Sequence, residues 1–207
     1  MAMVAAIVAI ARPEAVVTLP SGLRTIMLAI DVSLSMRAAD VEPSRIAAAQ
    51  AAARTFVQAQ PGDVRIGIVT FAGTAALVQP PTRNREDLIA AIDRFDLQRH
   101  TAIGSGLMLS LATLFPEEGI ELESFTAGGA SGDRSRGRAL DAPPKLDKKP
   151  PVLVPPGSYK AGAIILLTDG RRTIGPNPID VARICADRGV RVYTVGFGKA
   201  EGAMANV

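Results

Sequence analysis

The six residues Asp31–Met36, DVSLSM, place a carboxylate and two hydroxyls at alternate positions directly after the apolar run TIMLAI. Alternation lets Asp31, Ser33 and Ser35 converge while Val32 and Leu34 turn elsewhere. Two later stretches bring more oxygen. Thr101 opens TAIGSGL, and Asp169 sits in LLTDG at the end of another apolar run. Carboxylates and hydroxyls are hard donors, which hard divalent cations prefer. Two Asp and three hydroxyls suit Mg²⁺ or Mn²⁺ better than an all-carboxylate calcium cage. Either Asp alone reads equally well as a helix cap or turn residue. The metal chemistry rests on the five residues together.

These residues need elements to position them. Residues 18–31 turn at Pro20–Gly22 and run into a buried strand ending at Asp31. A helix is predicted over 43–60, with Pro43 in its first turn and Ile46, Ala49, Ala53, Phe56 and Val57 on one face. Val64–Gly73 reads as a second buried strand. AALVQPPT follows across Gly73–Thr74 as an antiparallel edge strand, since its two prolines cannot donate to a ladder. Asn84 caps a further helix, and Thr101–Phe115 is a third that begins with small residues. AGAIILLTDG is a strand. NPIDVARICADRG is a helix with Asn177 as cap, Pro178 in first position and Gly189 at its end. VRVYTVGFG is the last strand. Strands that are apolar on both faces and alternate with helices predict an α/β fold. Its sheet is doubly wound and mainly parallel, with one antiparallel edge strand and helices on both faces. Ligands in such folds bind beyond the carboxyl ends of the strands, where strand order reverses. The five oxygen-bearing residues fall there.

Composition narrows the function. The 207 residues are 48% hydrophobic and 21% charged, enough for one sizeable core. The formal net charge is +3 and the pI about 9.3. Residues 132–150 alone carry six Lys/Arg against three Asp, which accounts for all of that charge. The remainder is balanced, so no nucleic-acid-binding face is indicated. Residues 117–160, rich in Gly, Pro, Ser and charge, read as a flexible basic insertion. Residues 1–11 are apolar throughout, yet a spanning helix needs about 20 such residues. Residues 1–17 are therefore expected to be a membrane-segment remnant or an N-terminal extension; a strand or helix packed on the domain is the alternative. Residues 18–200 form the domain and 201–207 a tail.

Enzyme readings fare poorly. A phosphatase of the haloacid-dehalogenase type needs a second Asp two residues after its nucleophile, where Ser33 stands. A serine hydrolase needs a base beside its nucleophile, and His100 is the single histidine. No GxGxxG follows Ile30. Cys185, the one cysteine, can form no internal disulfide and reads as a small core residue.

DVSLSM, TAIGSGL and LLTDG, in this order on matching elements, resemble the three segments of the metal-ion-dependent adhesion site of von Willebrand factor A domains. The resemblance covers roughly Thr25 to Gly198. It implies direct metal ligation by Ser33, Ser35 and Thr101, with Asp31 and Asp169 near the metal through water. An open coordination position then receives an Asp or Glu of a partner protein. Leu34, Met36, Arg37 and Gly170 border these positions and are the expected partner contacts; packing is the alternative for Met36 and solvent exposure for Arg37. Leu34 stands where the family mostly has Gly, a costly exchange if the residue needs positive φ. ARPEA, IMLAIDVSLSMRAADVEPSRIAAAQ, PGDVRIGIVTFAG and RGVRVYTVGFGKAEG further resemble bacterial membrane-anchored proteins of the Bat (aerotolerance) type. That resemblance implies a MoxR-type AAA+ ATPase and other von Willebrand A proteins as partners. It also implies anchoring to the inner membrane by flanking segments, a domain on the periplasmic side, and a final strand and helix beyond this chain. The function expected is a metal-dependent interaction module, not an enzyme. A metal-dependent hydrolase, or a scaffold working through the basic insertion with an empty metal site, are the alternatives.

Overall fold

A computed structural model describes residues 24–118, 154–170 and 172–198. The expected turn at Pro20–Gly22, the apolar segment 1–11, the tail, and all of the insertion but its two ends lie outside these residues.

Five strands form one sheet: β1 (Thr25–Asp31), β2 (Arg65–Phe71), β3 (Ala75–Thr82), β4 (Gly162–Thr168) and β5 (Arg191–Gly196), in the order β3-β2-β1-β4-β5. β1 pairs in parallel with both β2 and β4, and β4 with β5. β3 returns antiparallel to β2, as the short Gly73–Thr74 connection predicts, and its Pro80 and Pro81 lie on the outer edge. Strand order reverses at β1, so the crevice between the carboxyl ends of β1 and β4 is the switch point.

Among the described residues, four α-helices cover the sheet: α1 (Arg45–Ala59), α2 (Arg85–Asp93), α3 (Ile103–Leu114) and α4 (Pro178–Asp187). All seven residues of β1 and of β4 are buried, because alternate side chains feed two cores. Ile26, Leu28 and Ile30 meet Ala49, Ala53 and Val57 of α1 and Leu88 and Ile92 of α2. Met27 and Ala29 meet Leu107 and Leu111 of α3 and Val181 and Cys185 of α4. Each buried aliphatic side chain contributes about 1.5–3 kcal/mol. Burial pushes the Cys185 thiol up to about 12, as expected of an inert core cysteine.

Two helix starts differ from expectation. α1 begins at Arg45 with Ser44 as its cap, the Ser44 hydroxyl accepting from the Ala47 N–H at 3.3 Å, so Pro43 lies outside the helix. α3 begins at Ile103, two residues after Thr101. The Thr101 carbonyl accepts from the Thr173 and Ile174 N–H groups, and this loop contact replaces a first helical bond. Small residues then let α3 sit close. A Cβ on Gly104 would strike the Pro176 carbonyl, and one on Gly106 the Phe71 ring.

Candidate metal centre

Seven of the described residues are both polar and buried, and five of them gather at one end, Thr25 and Ser110 lying elsewhere. Asp31, Ser33, Arg45, Thr101 and Thr168 are all buried, and all lie at or beyond the carboxyl ends of β1 and β4. Burial of a carboxylate is costly without partners, and Asp31, with no exposed surface, has two. Its Oδ1 accepts from the Ser33 N–H at 2.9 Å, and its Oδ2 accepts from the Thr168 hydroxyl at 2.6 Å. Both donors are neutral. Burial therefore dominates and raises the Asp31 pKa above its ordinary 3.8; the Asp169 charge adds to the rise, while the Ser33 and Thr168 bonds oppose it.

Ser33 is followed by a 3₁₀ turn over Leu34–Arg37. The turn folds the chain back, so the Ser33 and Ser35 hydroxyl oxygens lie 2.8 Å apart. Leu34 adopts no positive φ; among the described residues His100 is the one non-glycine that does. The leucine at the family's glycine position is thus accommodated in a right-handed turn. Its side chain is 41% exposed, and Arg37 is exposed too, so both remain available at the rim. Met36 is corrected. Its side chain is fully buried against Ile30 and α1 in the core, and it presents nothing to a partner.

Thr101 reaches the same end through its backbone. The Gln98 N–H donates to the Val32 carbonyl, and the Ala102 N–H to the Ala72 carbonyl beyond β2. His100, at φ 68°, makes the reversal between them. The Thr101 N–H donates to the Thr173 hydroxyl at 2.8 Å. Both backbone groups of Thr101 are therefore committed, and its side-chain hydroxyl is what it offers beyond them.

Asp169 follows β4. Its carboxylate is shielded from solvent, and its Oδ2 accepts from Arg45 Nη1 at 3.0 Å. The same guanidinium grips Asp40 through Nε at 2.7 Å and Nη2 at 2.8 Å. The Asp40 bond is the main cause that raises the Arg45 pKa, so it stays charged. Thr168 ties the two motifs together, since its oxygen accepts from the Gly170 N–H at 3.1 Å while donating to Asp31. Gly170 is exposed at φ 84°, a conformation suited to glycine.

The structure thus brings Asp31, Ser33 and Ser35 into one hydrogen-bonded string. Thr168, the chain neighbour of Asp169, bonds to Asp31, and Thr101 is tied through its backbone to the 173–174 loop. Arg45, Asp40, Thr168 and Thr173 are the residues that sequence reasoning missed. Arg45 did leave a signal: with Ala49, Ala53 and Val57 it continues a buried stripe at intervals of four. An arginine in register with a core stripe demands a buried anion.

The donors fit a small hard cation. Octahedral bonds of about 2.1 Å put adjacent oxygens roughly 3.0 Å apart, and the Ser33 and Ser35 hydroxyls stand near that at 2.8 Å. The buried Asp31 is held by neutral donors, the Ser33 N–H and the Thr168 hydroxyl, and a bound cation would add the opposite charge. Among the described residues no three His, Cys, Asp or Glu cluster as a metal cage, so such a site depends on its hydroxyls.

A family model for the von Willebrand factor type A domain matches residues 26–126. A UPF0353 protein of Nocardia farcinica is 34% identical over 206 residues, 95% of this chain and 52% of its own. The chain therefore spans about half the length of that curated relative. An aerotolerance-related membrane protein from Bacteroides fragilis, crystallised with multiple mutations to serines, superposes with TM-score 0.62 at 23% identity, covering 89% of this chain and 72% of that one. BatB from Bacteroides thetaiotaomicron gives 0.61 at 25%, covering 87% and 69%. Proximal thread matrix protein 1 of the mussel byssus, in a form with a zinc-occupied metal-ion-dependent adhesion motif, gives 0.53 at 20%, covering 86% and 36%.

Proposed function

We propose that the chain, whose residues 26–126 match the von Willebrand factor type A domain, is a metal-dependent protein-interaction module that works by coordination, not catalysis. Ser33, Ser35 and Thr101 hold Mg²⁺ or Mn²⁺ directly, and Asp31 and Asp169 balance its charge. A bound cation supplies an open coordination position for a partner's Asp or Glu. Leu34, Arg37 and Gly170 form the rim that this partner meets. The observation that carries this reading is the pre-set pair of hydroxyl oxygens, 2.8 Å apart, beside the buried Asp31. The zinc-occupied motif of the mussel protein supports a divalent ion at such a site in this fold.

We extend the reading to the assembly. The likeness to an aerotolerance-related membrane protein and to BatB supports a membrane-associated complex. Its partners are a MoxR-type AAA+ ATPase and other von Willebrand A proteins. Anchoring is by segments flanking the domain, with the domain on the periplasmic side. Among the described residues, no helix is long and apolar enough to cross a membrane.

Titration calorimetry with Mn²⁺ tests the core of the proposal. Wild type should bind one ion, EDTA should remove it, and Asp31→Ala should abolish the heat. Binding of Mn²⁺ that is indifferent to Asp31→Ala would falsify the site.

A further inference from the structure

The metal centre occupies the carboxyl ends of β1 and β4, and the opposite end of the sheet has a charged feature of its own. There Arg24, Asp63, Arg65, Thr82 and Arg83 line an open cleft of about 720 Å³. The fold brings them together. The Arg65 N–H donates to the Arg24 carbonyl where β1 and β2 begin side by side. β3 returns antiparallel and delivers Thr82 and Arg83 to the same end. Arg85 pins the turn before β2, its Nη2 donating to the Pro61 and Val64 carbonyls at 2.7 and 3.2 Å. The seven residues of β1, at about 3.3 Å each, set this cleft roughly 20 Å from Asp31.

Arg24, Arg65 and Arg83 are all exposed. Among the described residues, the hydrogen bonds of these side chains go to neutral oxygens. Arg65 Nη2 donates to the Thr25 hydroxyl at 3.1 Å, and Arg83 Nε to the Asp63 carbonyl at 3.2 Å. No ion pair among the described residues uses any of the three. Asp63 is the one described carboxylate lining the cleft; Glu86 and Asp87, in the first turn of α2, do not line it. Each guanidinium is a planar fork of N–H donors that matches phosphate oxygens.

We propose that this cleft takes the phosphate of an anionic phospholipid headgroup and seats the domain on a membrane surface by the amino ends of β1 and β2. The inference rests on the membrane-associated reading above and gives it a contact site. Chain order supports the lipid: residues 12–23 alone separate Arg24 from the apolar run 1–11. That stretch spans at most about 45 Å when extended, so the chain enters the domain beside the cleft. Orientation supports it too. A domain seated by this end points its metal centre away from the lipid, where a partner can approach. Among the described residues no aromatic side chain lines the cleft for a base to stack on, which disfavours a nucleic acid.

Vesicle co-sedimentation of the full chain tests this, with phosphatidylcholine alone and mixed with phosphatidylglycerol. Wild type should bind the mixed vesicles more tightly. Arg24→Gln, Arg65→Gln and Arg83→Gln combined should cut that gain roughly tenfold or more. Arg134→Gln, Arg136→Gln and Arg138→Gln remove the same charge from the 132–150 segment and should cost much less. Equal losses in the two triple variants mean diffuse attraction and overturn the proposal, as does an unchanged gain in the first. If the first does not fold by circular dichroism, Asp63→Asn decides: the gain should rise a few-fold, and an unchanged or smaller gain overturns the proposal. Calorimetric binding of inorganic phosphate that needs the three arginines, without any phosphatidylglycerol gain, assigns the cleft to a free anion and overturns the lipid. Failure to bind either vesicle defeats the membrane reading and this inference together. Binding that ignores phosphatidylglycerol defeats only the inference.

Discussion

Asp31 and Asp169 are both motif carboxylates shut away from solvent, yet they are held in different ways. Asp31 is held by a backbone N–H and a hydroxyl, and burial raises its pKa. Asp169 is held by a guanidinium that is itself anchored to Asp40. One carboxylate has its opposite charge built into the fold, and the other has only neutral donors. The contrast sets a carboxylate that a built-in cation ties into the fold beside one that is held by neutral donors within a single site.

The sharpest way to break the contrast is to delete the built-in cation. Arg45→Ala should leave Asp40 and Asp169 buried without it and destabilise the chain by about 3–5 kcal/mol, read as a large drop in thermal midpoint. If the midpoint barely moves, Asp169 does not depend on Arg45. Thr168→Val comes next. It removes the hydroxyl shared by Asp31 and Gly170, at a cost of about 1–3 kcal/mol, and should also weaken Mn²⁺ binding. Unaltered stability in urea melts would show that the bridge carries nothing. The smallest effect has the opposite sign. Because burial raises the Asp31 pKa in the folded state, the favourable contribution exists below the unfolded value of 3.8 and is lost as pH rises through the folded value. In chelator, at neutral pH, Asp31→Asn should therefore raise the midpoint, roughly 2–4 °C for each ~1 kcal/mol gained. The same variant should bind no Mn²⁺. A lower midpoint at every pH would mean that the Asp31 carboxylate itself stabilises the fold.

The same contrast explains what could be read from the chain. Asp31, Ser33, Ser35, Thr101 and Asp169 stand at strand ends or loop starts, where polarity interrupts an apolar pattern, and such breaks are visible in one dimension. The antiparallel β3 was legible from the short Gly73–Thr74 turn and the two prolines. Arg45 was legible only as a residue in register with the Ala49, Ala53 and Val57 stripe; its partner Asp169, 124 positions away, was not. Thr168 was hidden for a similar reason. It ends an apolar strand and looks like a β-branched core residue, while its hydroxyl is the bond between two motifs. The start of α3 was misplaced by two residues because the 173–174 loop captures the Thr101 carbonyl, a contact local propensity cannot register. Met36 followed two oxygen-bearing positions and looked like rim, but the 3₁₀ turn points it inward.

The Thr168 oxygen has one more consequence. It touches the Asp31 carboxylate on one side and the Gly170 amide on the other. Asp31 is fully buried, whereas Gly170 lies at the surface. Any shift of the inner carboxylate on ion uptake is therefore passed, through a single atom, to an amide that deuterium can reach. Gly170 becomes a spectroscopic reporter of the buried Asp31 carboxylate, and its amide resonance should move when Mg²⁺ is added to a ¹⁵N-labelled chain.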